Sequence, residues 1–237
     1  MKYVLLIVSC LLCCIACVDD SPQLRSNYPV QGIDVSHYQS QIDWDEVAKN
    51  KLYYAYVKST EGKDYIDSMF TYNWLNSRRV GLKRGAYHFY RPRSSALAQA
   101  NHFIQQVELL PGDLPPVVDV EVLDGVDAAE LIVGLRMYLK HIELHYSVKP
   151  VIYTYQKFYN RYLAGQFSEY PIWIARYHSR QPKLANKDKW VFWQYAQRGI
   201  MPGIEGAVDL NVFHGSHTEL EQWCVPAAAT AQQLATQ

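Results

Sequence analysis

The chain has 237 residues, 49% of them hydrophobic, and a formal net charge of zero. That hydrophobic share supports a sizeable core and excludes global disorder, and zero charge argues against nucleic-acid binding, which calls for a basic stripe or face. Aromatic residues are abundant, led by 19 Tyr and 6 Trp; their flat apolar faces and polar tips suit half-wet surfaces, although at most positions core packing explains them equally well.

The N-terminus carries a processing signal. Lys2 precedes an apolar run from Tyr3 to Cys17, followed by Val18-Asp19-Asp20, the pattern of a secretory signal peptide over 1–16. The run is shorter than the roughly 20 apolar residues of a membrane-spanning helix. Ala16 before Cys17 resembles a bacterial lipoprotein cleavage site with Cys17 as the lipidated residue, although Cys14 stands where such sites usually carry Leu, Val or Ile; plain secretion is the alternative. Four of the five Cys (Cys10, Cys13, Cys14, Cys17) lie in this leader. Cys224 alone remains in the body, so no internal disulfide framework is expected there. Residues 17–30, with Pro22 and Pro29, read as a tether, residues 31–224 as one domain, and the low-complexity segment 225–237 as a disordered tail.

Within the domain, β-rich runs at 31–37, 53–60, 84–90, 115–122, 150–155, 171–177, 191–196 and 207–213 alternate with helical patterns. Asp43 and Glu46 have capping-box spacing. Ala96, Ala100, Phe103, Ile104 and Val107 recur at helical period, as do Leu131, Leu135, Tyr138 and Ile142 behind Asp127 and Glu130. Strands alternating with helices predict parallel βαβ units, and eight of them predict an α/β fold: an irregular, single-domain (β/α) barrel of TIM-barrel type. Helices are missing from the last three intervals, on the C-terminal side.

Active sites of such barrels gather at the C-terminal ends of strands. Polar clusters stand at those ends at 34–37, 58–61, 87–90, 119–121 and 209–211. The sharpest is Pro116-Val117-Val118-Asp119-Val120-Glu121-Val122. Period-two alternation puts Asp119 and Glu121 on one face, roughly 6–7 Å apart along the strand. In a partly closed mouth their like charges would resist simultaneous ionisation and raise one pKa, which suits a carboxyl that must protonate a glycosidic oxygen. A solvated acidic face is the plain alternative. His141 and His145 flank Glu143 on a helical stretch, but the zinc-protease order places Glu directly after the first His, and Ile142 stands there. No metal or organic cofactor is expected.

Taken together, GIDVSHYQ (32–39), IDW (42–44), VKSTEG (57–62), GAYHFYRP (85–92), DVE (119–121), VIYTY (151–155), PIWIARY (171–177), FWQY (192–195) and VDLN (208–211) resemble the segments of glycoside hydrolase family 25 muramidases, in the family's order. The resemblance implies an irregular β/α barrel that hydrolyses the β-1,4 bond between N-acetylmuramic acid and N-acetylglucosamine in peptidoglycan glycan strands. It implies Glu121 as general acid, Asp119 as its partner assisting the substrate's acetamido group, and Asp34 and Asp209 as the remaining active-site carboxylates. Tyr87, Tyr153 and Trp173 would contact sugar, with Lys58, His88, Phe89, Tyr90, Arg176 and Gln194 at the rim. The expected setting is a monomer exported to the bacterial cell envelope and held to the membrane by its lipid. Competing readings are a chitin hydrolase, a glycan-binding module without turnover, and a purely structural lipoprotein.

Overall fold

The computed structural model describes residues 25–227. The signal segment 1–16, Cys17 and residues 228–237 of the tail lie outside the described residues. The ends of the domain reach further than 31–224. Tyr28 and Val30 are buried, and Arg25 donates to the His178 and Ser179 carbonyls, so the described part of the expected tether packs on the barrel. At the other end, buried Val225 donates its amide to the Asp113 carbonyl.

Eight strands close a barrel: β1 (Gln31–Val35), β2 (Tyr54–Glu61), β4 (Lys83–Phe89), β5 (Val117–Asp119), β6 (Val151–Tyr155), β7 (Ile172–Ala175), β8 (Phe192–Gly199) and β9 (Val208–Phe213). A two-residue strand, β3 (Tyr65–Ile66), forms a hairpin with the end of β2. The order β1-β9-β8-β7-β6-β5-β4-β2 is closed by β1–β2 pairing. Seven strands run parallel, as alternation with helices predicts. The eighth corrects that expectation, because β9 lies antiparallel to both β8 and β1. An antiparallel neighbour needs only a short connection, whereas a parallel one needs a crossover. The β8–β9 side therefore carries no helix.

Helices α1 (Trp44–Val47), α2 (Phe70–Arg79), α3 (Ala96–Gln106), α4 (Ala128–Tyr146), the short α5 (Gln156–Phe158) and α6 (His217–Trp223) complete the fold. Asp127 and Glu130 form the expected reciprocal cap on α4. At α1 only half of that arrangement forms: Asp43 accepts from the Glu46 amide, while the Glu46 carboxylate turns to Lys49.

The period of two divides each strand between two cores. Outward residues such as Ile33, Val57, Val118, Ile152 and Ile174 pack under the helices, and inward residues Tyr54, Tyr56, Val117, Trp173 and Phe192 fill the barrel. The inner rings leave no room for side chains beside them. A Cβ on Gly32 would sit 2.3 Å from the Tyr54 ring, and one on Gly85 would sit 2.1 Å from Tyr56. Glycine at these positions lets two tyrosines plug the lower barrel. Leu220 of α6 and Cys224 extend this inner cluster, and the buried Cys224 thiol donates to the Leu220 carbonyl.

Candidate active site

Above that plug, the C-terminal ends of the parallel strands surround a cavity of about 440 Å³. Its wall contains Asp34, Lys58, Tyr87, Phe89, Asp119, Glu121, Tyr153, Trp173, Gln194 and Asp209. All have the inward parity of their strands. Asp119 ends β5, and Glu121 follows one alternation later, so the two carboxyls enter from the same face. Asp34 and Asp209 are direct partners in the antiparallel β1–β9 register, which sets the second acid pair across the cavity.

Asp34 is buried within a network of amide donors. Gln194 Nε2 donates to both its oxygens at 2.9 and 3.1 Å, and Asn211 Nδ2 donates to Oδ1 at 2.6 Å. Asn211 Oδ1 in turn accepts from Trp173 Nε1 at 3.0 Å. Gln194 Oε1 accepts from Tyr153 at 2.8 Å and Tyr177 at 2.9 Å. Gln194 thus lies in the floor and orients Asp34, where the resemblance placed it at the rim. The two lone pairs of the amide oxygen take both hydroxyls. Replacing Asn211 with Ala would strand the Trp173 indole N–H and remove one donor from Asp34. Each buried group left unpaired costs about 1–3 kcal/mol. Asn211→Ala is accordingly expected to lower unfolding free energy by about 3 kcal/mol in urea titration.

Burial dominates the electrostatics. It raises Asp34 to about 6 against the pull of its amide donors. It raises Glu121 to about 7, with hydrogen bonding from Asp119 and Tyr153 opposing and the charge of Asp34 reinforcing. Asp119 is raised well above the ordinary carboxylate range, first by burial and then by Glu121 beside it. Asp209 reaches about 9 through burial and the neighbouring Asp34. The Asp119–Glu121 pair therefore retains a proton near neutrality, and Asp119 Oδ1 is buried with no partner in the protein.

The same shifts set a stability trend. The folded protein binds more protons than the unfolded chain between about pH 4, where free carboxyls ionise, and about pH 9, the upper folded value. Stability falls with pH wherever the native state holds the excess protons. This contribution is complete below the unfolded values and is lost as pH rises through the folded ones. The expected Tm at pH 8.5 is at least about 5 °C below that at pH 5, and Asp209→Asn should flatten the slope in calorimetric scans.

Three rim expectations are corrected. His88 is fully buried with outward parity, bonded to Thr60 Oγ1 at 2.8 Å and Gln99 Oε1 at 3.1 Å. It stacks on Tyr138 at 5.2 Å, and burial lowers its pKa to about 3. Tyr90 is buried against the same Tyr138. Arg176 points away from the cavity and donates to the Gln181 carbonyl at 2.7 Å.

The structure also adds wall residues. Tyr155 and Tyr177 meet edge to face at 6.1 Å on the β6–β7 side. Glu61 bonds Lys58 Nζ at 2.7 Å and Arg91 Nε at 2.9 Å. A bulge between Lys58 and Thr60 lets Lys58 and Glu61, three residues apart, both face inward. His141 and His145 lie on α4, where His141 Nε2 meets Asn101 Oδ1 at 2.8 Å. Among the described residues no group of three or more His, Cys, Asp or Glu has metal-holding geometry.

A β/α barrel with paired, partly protonated carboxyls in an aromatic-walled cavity defines a glycoside-hydrolase type of site. The sequence profile of Glycosyl hydrolases family 25 matches residues 33–204, and the chain belongs to that family. Curated relatives include "Uncharacterized protein YegX" of Escherichia coli K12, 43% identical over 84% of this chain and 75% of the relative. Lysozyme M1 of Streptomyces globisporus is 34% identical over 81% of this chain and 70% of its own length. A solved family 25 glycosyl hydrolase from Bacillus anthracis superposes with a TM-score of 0.80 at 34% identity, covering 85% of this chain and 96% of that one.

Proposed function

We propose that the protein is a peptidoglycan muramidase, a lysozyme that hydrolyses the β-1,4 bond between N-acetylmuramic acid and N-acetylglucosamine. The observation that carries this reading is the Asp119–Glu121 pair, which keeps a proton near neutral pH inside an aromatic-walled cavity. Glu121, the more accessible of the two, donates its proton to the glycosidic oxygen. Asp119 holds the N–H of the substrate's acetamido group, so that the acetamido oxygen stabilises the developing charge at the anomeric carbon. Glu121, now a carboxylate, takes a proton from the water that completes hydrolysis. Asp34 adds negative potential opposite an oxocarbenium-like transition state, while Asp209, raised to about 9, stays protonated beside it. Tyr87 and Phe89 supply flat faces for sugar rings above a floor made by the buried Tyr153 and Trp173, while Lys58 supplies a donor beside Glu61.

Initial rates of reducing-end release on purified peptidoglycan and on chitin oligomers test the substrate. Peptidoglycan turnover is expected, and activity confined to chitin would overturn the assignment. We further infer that the enzyme is exported and tethered through a lipid on Cys17, on the strength of the leader's composition. Cys17→Ser should then abolish incorporation of labelled fatty acid and move the protein from the membrane to the soluble fraction.

A further inference from the structure

The turn after β1 carries an aromatic group that the hydrolytic chemistry leaves unused. Tyr38 borders the cavity yet is 78% exposed. Its ring lies on the His37 imidazole, with centroids 4.2 Å apart and planes inclined by 35°. Tyr65, on the β2–β3 hairpin and 41% exposed, meets the same imidazole edge-on at 6.3 Å.

The base beneath these rings is fixed from three directions. Ser36 and Gln39 cap the turn reciprocally. Gln39 Nε2 donates to the Ala207 carbonyl at 3.0 Å, which ties the turn to the β8–β9 connection. The buried Asp67 carboxylate accepts the His37 amide at 3.1 Å and holds His37 Nδ1 at 2.7 Å, while its other oxygen accepts from Met69. An exposed tyrosine with only two side-chain torsions is already a low-entropy contact surface, and here its backbone and its stacking neighbour are immobilised as well. Lys58 Nζ lies 5.7 Å from the Tyr65 ring centroid, so the aromatic shelf continues into the wall that holds the acids. A cavity of about 440 Å³ is near the lower end of the range for small-molecule sites. A glycan strand longer than the cavity leaves it across the rim, where Tyr38 stands.

We propose that Tyr38, seated on His37 and flanked by Tyr65, is a stacking subsite for a pyranose ring of the glycan strand outside the cavity, and that it makes binding grow with strand length. A tyrosine presents a flat apolar face with a polar edge, which matches a sugar's C–H face and peripheral hydroxyls. The inference rests on the glycan-hydrolase reading above.

The test measures KM and kcat on peptidoglycan oligosaccharides of graded length for wild type, Tyr38→Ala and Tyr38→Trp. Wild-type KM should fall as the chain lengthens. Tyr38→Ala should forfeit about tenfold of that gain, with the loss in KM rather than in kcat, and Tyr38→Trp should restore it. An unaltered length dependence in Tyr38→Ala would overturn the subsite. In parallel, binding of the same oligosaccharides to Glu121→Gln protein is measured calorimetrically with and without Tyr38→Ala. If wild type cleaves nothing, the hydrolase reading fails by itself and the subsite is judged on binding: about tenfold weakening for long strands supports it, and equal affinity refutes it.

Discussion

Glu121→Gln is expected to lower kcat on peptidoglycan by about 10³-fold, within the 10²–10⁴-fold range of general acid–base catalysis. The amide fills the same space and still accepts a hydrogen bond, but has no acidic proton for the leaving oxygen. Glu121 sits past the end of β5 and is only partly buried, so the fold does not depend on its charge. Removing a group that burial raises to about 7 relieves a buried acid, and Tm should hold steady or rise. Binding should persist, because the aromatic wall and the Asp34 network are untouched. A variant with more than a tenth of wild-type kcat would exclude Glu121 as the proton donor.

Asp119→Asn should cost about 10²-fold in kcat while leaving the pH profile in place. Two adjacent carboxyls lose their protons in two macroscopic steps, and the upper step is raised by the charge already present. That repulsion falls on Asp119, whereas Glu121 is raised to about 7 by burial and is lowered by the hydrogen bond from Asp119. An amide at this position can still donate to Glu121, so the alkaline limb of the kcat profile should stay near 7. A limb displaced downward by a full unit would mean that the charge of Asp119 is what raises Glu121. Asp34→Asn makes a useful contrast, since its carboxylate is held by two amide donors on its own side of the cavity.

Much of this site is legible in strand alternation. Asp34, Asp119, Glu121 and Asp209 stand at strand ends with the inward parity, and Asn211, Tyr155 and Tyr177, an even number of positions from Asp209, Tyr153 and Trp173, share it. His88, Tyr90 and Arg176 have the opposite parity to Tyr87, Phe89 and Trp173, so alternation within their own strands already turns them outward. Glu61 and Gln197, both in the cavity wall, break the rule for a physical reason. Bulges in β2 and β8 insert a residue and restore the inward direction after an odd step, and sequence alone does not mark where a bulge falls. The hydrogen-bond chain from Trp173 through Asn211 to Asp34 spans three strands and exists only once the register is set.

The barrel was readable from eight β-rich runs, but the direction of β9 was not, because a strand's pattern reads the same from either end. Helix α2 is masked in sequence by polar residues on its buried face. Asn73 and Ser77 are fully buried beside Phe70 and Trp74, with Asn73 accepting from the Trp44 indole at 3.1 Å, so the apolar period is broken. Its cap carries no side-chain bond. Helix α6 differs: Ser216 and Glu219 form a full capping box at a spacing plainly visible in the chain, although only Leu220 is buried behind it.

The most direct test of the account is mass spectrometry of borohydride-reduced products from purified peptidoglycan, which identifies the bond cut and the sugar left at the new end. Hydrolysis through Glu121 at the muramic-acid glycosidic bond predicts fragments that all terminate in reduced N-acetylmuramic acid, and predicts none from the Glu121→Gln protein. Fragments terminating in reduced N-acetylglucosamine, or equal yields from the two proteins, would contradict it.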